Sequence, residues 1–327
     1  MPFKSNWEKT QTYASLTRDQ INRAFLIANP NSSIKEAHVI EGGCANLNVK
    51  IICSESETPQ LLRFYLRDPS AALREKVIAE KLHSKIPIPQ TRFVGCIDNL
   101  TFALIDFVEG ITLSDLLLSN QSYDMFQIMS DIGRLLVPLS QIQFDISGFI
   151  DSDFAIQKTF PTDFPELLLS QCLETESIKT IFDEHLMCKL KKCISYFKQV
   201  SFESSCIQLV HGDFNPSNIL VVKQEQFWRP SALLDFEFAY AGSVMGDISS
   251  MLREAHLMPS DFRAGFLHGL KNENIELPKD WKQLVHLHNI LALLEIASRS
   301  DPKKTPCQTQ DIHDLVIYHL NAVEIHF

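Results

Sequence analysis

The stretch LVHGDFNPSNILVV, residues 209–222, and the run SALLDFEFAYAGSVMGD, residues 231–247, decide the fold of this 327-residue chain. Ile219–Lys223 and Ser231–Asp235 are short apolar runs on either side of a polar, proline-containing turn, the pattern of a β-hairpin. Asn218 immediately precedes the first run and Asp235 closes the second, so antiparallel pairing returns Asp235 beside Asn218. An amide oxygen and a carboxylate then converge from opposite ends of one hairpin. Asp213 lies on the loop that enters it, close enough to serve the same place without itself binding metal. Hard oxygen donors of this kind suit Mg²⁺, which keeps several waters and completes its octahedron with substrate phosphates. The plainer reading is a polar turn, because Asp, Asn, Pro and Ser favour turns for backbone reasons alone. The returning strand that ends in an acid weighs against it.

The rest of the sequence permits such a site and excludes several others. At ~150 residues per domain, 327 residues make about two domains or lobes. An apolar share of 45% with 21% charged residues excludes global disorder. Thirty basic against forty acidic residues leave a formal charge of −10, which opposes binding to nucleic acid or anionic lipid and permits a cationic partner. The eight cysteines form no C-x-x-C pair, so they read as reduced thiols of a cytoplasmic protein. The N-terminus lacks the apolar run of a signal peptide, and no stretch has the length of a membrane span.

Thr17 and Gln20 fit a capping box that opens a helix ending near Asn29-Pro30. Residues 39–53 and 58–68 then read as two strands, a helix runs from Ser70 to about Lys85, and residues 91–97 and 100–108 supply two more strands. From Gly110 the pattern turns helical, over 122–142 with a kink or break at Pro138, then 176–199, 246–257, 260–271, 279–299 and 309–324.

His211-Gly212-Asp213 with Asn218, followed by Asp235-Phe236-Glu237, resembles the aminoglycoside phosphotransferase family, which shares its fold with protein, choline and homoserine kinases. Further matches, in the family's order, are residues 41–46, Leu61-Leu62-Arg63, Arg74-Glu75 and residues 104–110. The resemblance implies an α+β, bilobal protein-kinase-like fold. Its small β-sheet lobe with one key helix would span 1–105, a hinge 106–110, and a larger, mainly helical catalytic lobe 111–327. It implies that Asp213 is the catalytic base, that Asn218 and Asp235 hold Mg²⁺, and that the backbone at Asp106 and Val108 binds the adenine of ATP, with GTP an alternative. Arg63, Glu75, Gly42, Gly43 and Asn46 complete the expected nucleotide site.

Part of this is testable on the residues themselves. Glu75 shares a helical stripe with Ile78, Ala79, Leu82 and Ile86, which places a carboxylate on a buried face and calls for a cation. The family pattern supplies Arg63 from the preceding strand, where protein kinases use lysine; an ordinary strand-edge arginine is the alternative. Gly42-Gly43 lacks the full G-x-G-x-x-G spacing, so a plain hairpin competes with a phosphate cover. Asp247 follows Asp235 by 247 − 235 = 12 residues, too few for the segment on which protein kinases support a peptide. Asp247 itself reads as a brace for the catalytic loop or as a helix N-cap. The expected reaction is therefore transfer of the γ-phosphate of ATP to a hydroxyl of a small molecule, aminoglycoside-like or a metabolite such as choline or homoserine. A catalytically silent nucleotide-binding scaffold is the competing class. Asp151, Asp153, Asp163, Glu166 and Glu237 are candidate acids for a cationic acceptor, and Trp228, Tyr240 and Trp281 candidate aromatics for a quaternary ammonium. His286 and His288 lie about 200° apart on a helix and make a poor metal pair.

Overall fold

The structure, a computed structural model, describes residues 6–8, 16–40, 46–197, 206–273 and 275–324. It runs α1 (Arg18–Ala28), β1 (Ile34–Ile40), β2 (Asn46–Cys53), β3 (Ser56–Tyr65), α2 (Ala71–Leu82), β4 (Thr91–Ile97) and β5 (Leu100–Asp106). Then follow β6 (Ile111–Thr112), α3 (Leu113–Leu118), α4 (Met125–Arg134), α5 (Leu136–Ser140), β7 (Gly148–Ile150), β8 (Ile156–Thr159), α6 (Phe164–Leu173), α7 (Glu176–Ile181) and α8 (Glu184–Phe197). The remainder is β9 (Gln208–Val210), β10 (Ile219–Gln224), β11 (Phe227–Leu233), β12 (Tyr240–Gly242), α9 (Met245–Leu252), α10 (Ser260–Asn272), α11 (Trp281–Ser298) and α12 (Pro306–Glu324). It is an α+β fold, an antiparallel sheet followed by a mainly helical body.

The N-terminal sheet has the order β1-β2-β3-β5-β4. Strand alternation decides what each face does. Leu62 and Phe64 of β3 face α1 and are buried with Ile21, Phe25, Val49, Ile51, Phe102 and Leu104. Their neighbours Arg63 and Tyr65 point the other way, toward Glu75 of α2. The second half of α2, through Ile78 and Leu82, joins the large core built by the C-terminal helices. Within that body α4 and α10 cross so closely that a Cβ on Gly269 would lie 2.1 Å from the Ser130 carbonyl. Among the described residues, no helix is long and apolar enough to cross a membrane.

The capping box at Thr17 and Gln20 forms as expected. Several boundaries differ. Residues 39–53 do not make one strand: the chain is divided between β1 and β2, which pair antiparallel. The break expected at Pro138 within 122–142 forms three residues earlier, because Pro138 cannot donate to the carbonyl of Arg134, and α4 ends there. The helix expected over 176–199 breaks at Phe182, which is extended, and restarts where the Asp183 carboxylate accepts from the Leu186 amide at 2.8 Å. Helices α3 and α6 and the short strands β6 to β9 and β12 were not expected.

Candidate active site

Strand β9 pairs with β12 and delivers the chain to His211. Gly212 takes φ +83, and a Cβ there would meet the Phe238 carbonyl at 2.3 Å, so the loop turns where only glycine fits. The buried Asp247, in the first turn of α9, accepts the amides of His211 at 2.8 Å and Gly212 at 3.0 Å. That is the bracing alternative, not a cap of its own helix. Burial pushes Asp247 up to about 7, against the downward pull of those two amides. His211 is fully buried; its Nε2 lies 2.8 Å from the Leu234 carbonyl, and its Nδ1 accepts the Asp213 amide at 3.2 Å. Burial lowers its pKa, so the ring is a neutral brace with its proton on Nε2.

The brace presents Asp213. Its carboxylate accepts from Asn215 Nδ2 at 2.7 Å and Asn218 Nδ2 at 2.9 Å. Asn215 had no role in the sequence reading, although an Asn two residues after an Asp in a turn was the available signal. Asn218 Nδ2 also donates to the Asp213 carbonyl at 2.9 Å, so its amino group is committed to that loop and its Oδ1 faces away. In the hairpin Ile219 pairs with Leu233, and the Leu234 amide donates to the Asn218 carbonyl at 2.9 Å. Strand β11 ends at Leu233, two residues before the expected end, and Asp235 sits beyond it in a left-handed turn with φ +68. Aspartate tolerates that conformation better than most side chains.

The N-terminal sheet supplies the cations. Arg63 donates through Nε to Asn48 at 3.0 Å and through Nη1 to Glu75 at 3.1 Å and Asp235 at 3.4 Å. The Tyr65 hydroxyl donates to Glu75 at 2.7 Å. Burial works to deprotonate Arg63, and the charges of Glu75 and Asp235 more than reverse it, so the guanidinium stays charged. Burial pushes Glu75 up to about 7, with Arg63 opposing and Asp235 adding. Glu237 is also shifted upward by burial and by Asp235. It meets Arg67 at 2.5 Å and Asn46 at 3.2 Å. Glu75, Asp235 and Glu237 thus face Arg63 and Arg67, an excess of acid. The Asn218 amide oxygen and the Asp235 carboxylate are both hard donors of the kind that suits Mg²⁺, an ion that asks few ligands of the protein. Among the described residues no group of three or more His, Cys, Asp or Glu could hold a metal ion.

Other expected residues fall outside this cluster. Gly42 and Gly43 lie outside the described residues. Asp106 spends its carboxylate on Arg92, two contacts of 2.7 Å, and its amide on the Gln90 carbonyl at 2.9 Å. Val108 follows in the irregular stretch 107–110 between β5 and β6. Of the candidate acids, Glu237 is in the cluster but already paired with arginine, and Asp151 closes a turn by accepting the Asp153 and Ala155 amides. Asp153 and Asp163 are exposed and Glu166 is half-buried in the first turn of α6. Trp228, Tyr240 and Trp281 lie on β11, β12 and α11, and His286 faces His319 across α11 and α12 at 2.9 Å.

Comparison with known proteins gives a family and a fold. The model of a family described as the phosphotransferase enzyme family matches residues 36–284. Among solved structures, a thermostable mutant of aminoglycoside phosphotransferase APH(4)-Ia in ternary complex with AMP-PNP and hygromycin B superposes with a TM-score of 0.67 at 15% identity. It covers 92% of this chain and 98% of its own. The GDP complex of wild-type aminoglycoside 2'-phosphotransferase-IIIa gives 0.67 at 16% identity, covering 94% and 99%. At these identities the superpositions show the fold. A search of curated proteins finds no match.

Proposed function

We propose that this chain, which belongs to the phosphotransferase enzyme family, moves the γ-phosphate of a nucleoside triphosphate, ATP with GTP as the alternative, onto a hydroxyl of a small molecule. The observation that carries the reading is the Asp213 carboxylate. It is held by two asparagine amides, one of them from Asn218 at the start of the hairpin whose far strand leads to Asp235. In that arrangement Asp213 accepts the hydrogen bond of the acceptor hydroxyl, aims its oxygen at the γ-phosphorus and takes the proton as the P–O bond to ADP breaks. Neutral His211 and the Asp247 brace keep the carboxylate in place. Arg63 offers positive charge on the nucleotide side. Asn218 and Asp235 would hold Mg²⁺, which when bound neutralises phosphate charge. The lobe division at 106–110 belongs to the same reading, with Asp106 and Val108 as the adenine edge.

A cationic alcohol fits the acceptor side. A cavity of about 210 Å³ is lined by Trp7, Glu254, His256, Leu257, Asp311, Asp314 and Leu315. Glu254 also borders a recess against Asn215, Pro216 and Ser217 of the catalytic loop. Three carboxylates and an aromatic wall suit a protonated amine. Aminoglycosides, named in the related structures, and choline-like alcohols share that chemistry.

The test is Asp213→Asn, assayed for turnover with ATP against a panel of amino sugars and amino alcohols. Nucleotide affinity is expected to persist while turnover drops by ~10²–10⁴. Unchanged turnover removes the assigned role. Nucleotide binding by the parent with no phosphorylated product from any alcohol favours the silent scaffold.

A further inference from the structure

Glu237 stands where protein kinases carry the glycine of D-F-G, and its side chain is only 4% exposed. A buried carboxylate at a position that a glycine can fill needs a reason. Its partners supply one. Oε1 takes Nη2 of Arg67 at 2.5 Å, Oε2 takes Nδ2 of Asn46 at 3.2 Å, and the Glu237 carbonyl takes Nη2 of Arg74 at 2.6 Å. All three donors belong to the N-terminal part of the chain. Asn46 opens β2, Arg67 follows β3, and Arg74 lies in α2 with a second contact to Asp68 at 2.8 Å. The Arg67 guanidinium also covers the Phe238 ring at 4.6 Å. The loop after β11 is therefore gripped by the N-terminal sheet and helix two residues beyond Asp235, which itself touches Arg63. Two residues of chain leave Asp235 little freedom once Glu237 is fixed.

Resting on the reading under Proposed function, we propose that Glu237 is a positioning residue: clamped by Arg67, Asn46 and Arg74, it sets Asp235 for the magnesium form of the nucleotide. A glycine there would keep the carbonyl bond to Arg74 and lose the bonds to Arg67 and Asn46. The substitution of a gripping acid for a flexible residue ties the pose of the metal-binding carboxylate to the N-terminal sheet.

The experiment is calorimetric binding of AMP-PNP with and without Mg²⁺ to the full chain and to Glu237→Ala, Arg67→Met and the double variant. Arg67 is partly exposed, so its variant folds even where loss of Glu237 does not. Each single variant is expected to weaken binding of Mg-AMP-PNP tenfold or more, with metal-free AMP-PNP affected less than threefold. The double variant is expected to lose no more than the worse single one, because both act through one contact. Equal losses with and without metal mean a merely structural role and overturn the proposal. So do unchanged affinities, or losses that multiply in the double variant. A parent chain that binds neither form overturns the phosphotransferase reading itself, and this inference with it.

Discussion

Replacing Arg63 by methionine tests whether Glu75 is held as an ion by its neighbour. Arg63 and Glu75 side chains are 11% and 10% exposed, so water cannot take over from the lost guanidinium. Removing one partner of a buried ion pair costs ~3–5 kcal/mol. The Tyr65 hydroxyl remains on Glu75 at 2.7 Å and moderates the loss. Asp235, 25% exposed and 3.4 Å from Arg63, adds less than ~1 kcal/mol. The sum is about 3 kcal/mol, focused on β3 and α2. Tryptophan fluorescence would miss it, since Trp7, Trp228 and Trp281 all pack against the large core. Amide hydrogen exchange reads the place directly, and ~3 kcal/mol corresponds to exchange faster by ~100-fold for the amides of β3 and α2. Adding Glu75→Gln removes the stranded charge and is expected to restore most of the protection. Exchange within threefold of the parent in Arg63→Met, or a double variant as unprotected as the single one, would refute the ion-pair reasoning.

Three further outcomes follow from the braces. Asp247→Ala strands the buried His211 amide, at ~1–3 kcal/mol, releases the Gly212 amide, and is expected to lower both the thermal midpoint and turnover. A parent-like midpoint would mean that water replaces the carboxylate. Gly212→Ala forces a Cβ to within 2.3 Å of the Phe238 carbonyl at φ +83, so loss of at least ~1 kcal/mol is expected in urea denaturation. His288, half-buried on α11, is depressed by desolvation to about 4, against ~6.5 when unfolded, so the unfolded chain binds the extra proton first. While Asp247 and Glu75, both raised to about 7, gain stability as pH falls, the His288 contribution is full above about pH 6.5 and is lost toward pH 4, by up to about 3 kcal/mol. His211 and His319, shifted the same way, add to it. The stability difference between the parent and His288→Gln isolates this contribution, and a difference that stays constant between pH 7 and 4.5 in urea denaturation would contradict the neutral assignment.

The hairpin was legible because its information is local. Two apolar runs, a turn between them and polar residues at both ends specify which atoms meet, and the register of Ile219 with Leu233 delivers it. Glu75 was legible for the same reason, as the one acid on an apolar helical stripe. The Arg63 pairing was legible through the need of a buried acid for a cation together with the family order. What escaped depends on contacts distant in sequence. Arg67 is an ordinary surface-looking arginine until Glu237, 170 residues on, is folded against it. Helix α6 escaped because Leu167, Leu168 and Leu169 in succession show no helical period, and its neighbours, not its sequence, choose which leucine is buried. The break at Phe182 was marked by Asp183, a capping residue whose signal was outweighed by the apolar periodicity on both sides.

The two loops of the site are anchored from opposite directions. The loop bearing Asp213 hangs from Asp247 of α9, and the loop bearing Asp235 hangs from Arg67, Asn46 and Arg74 of the N-terminal part. They meet through the His211 ring on the Leu234 carbonyl and the Leu234 amide on the Asn218 carbonyl. Both junction bonds use Leu234 backbone, which neither anchor touches. Asp247→Ala should therefore displace the acceptor side and lower kcat with little change in Mg-AMP-PNP affinity, whereas Arg67→Met should do the reverse. Sites that share no partner combine additively to within ~0.5 kcal/mol. The double variant should then show the product of the two single effects, measured as kcat by steady-state turnover and affinity by calorimetry. A double variant no worse than Asp247→Ala alone would mean that one rigid unit carries both loops, and the separation of acceptor and nucleotide anchors would be wrong.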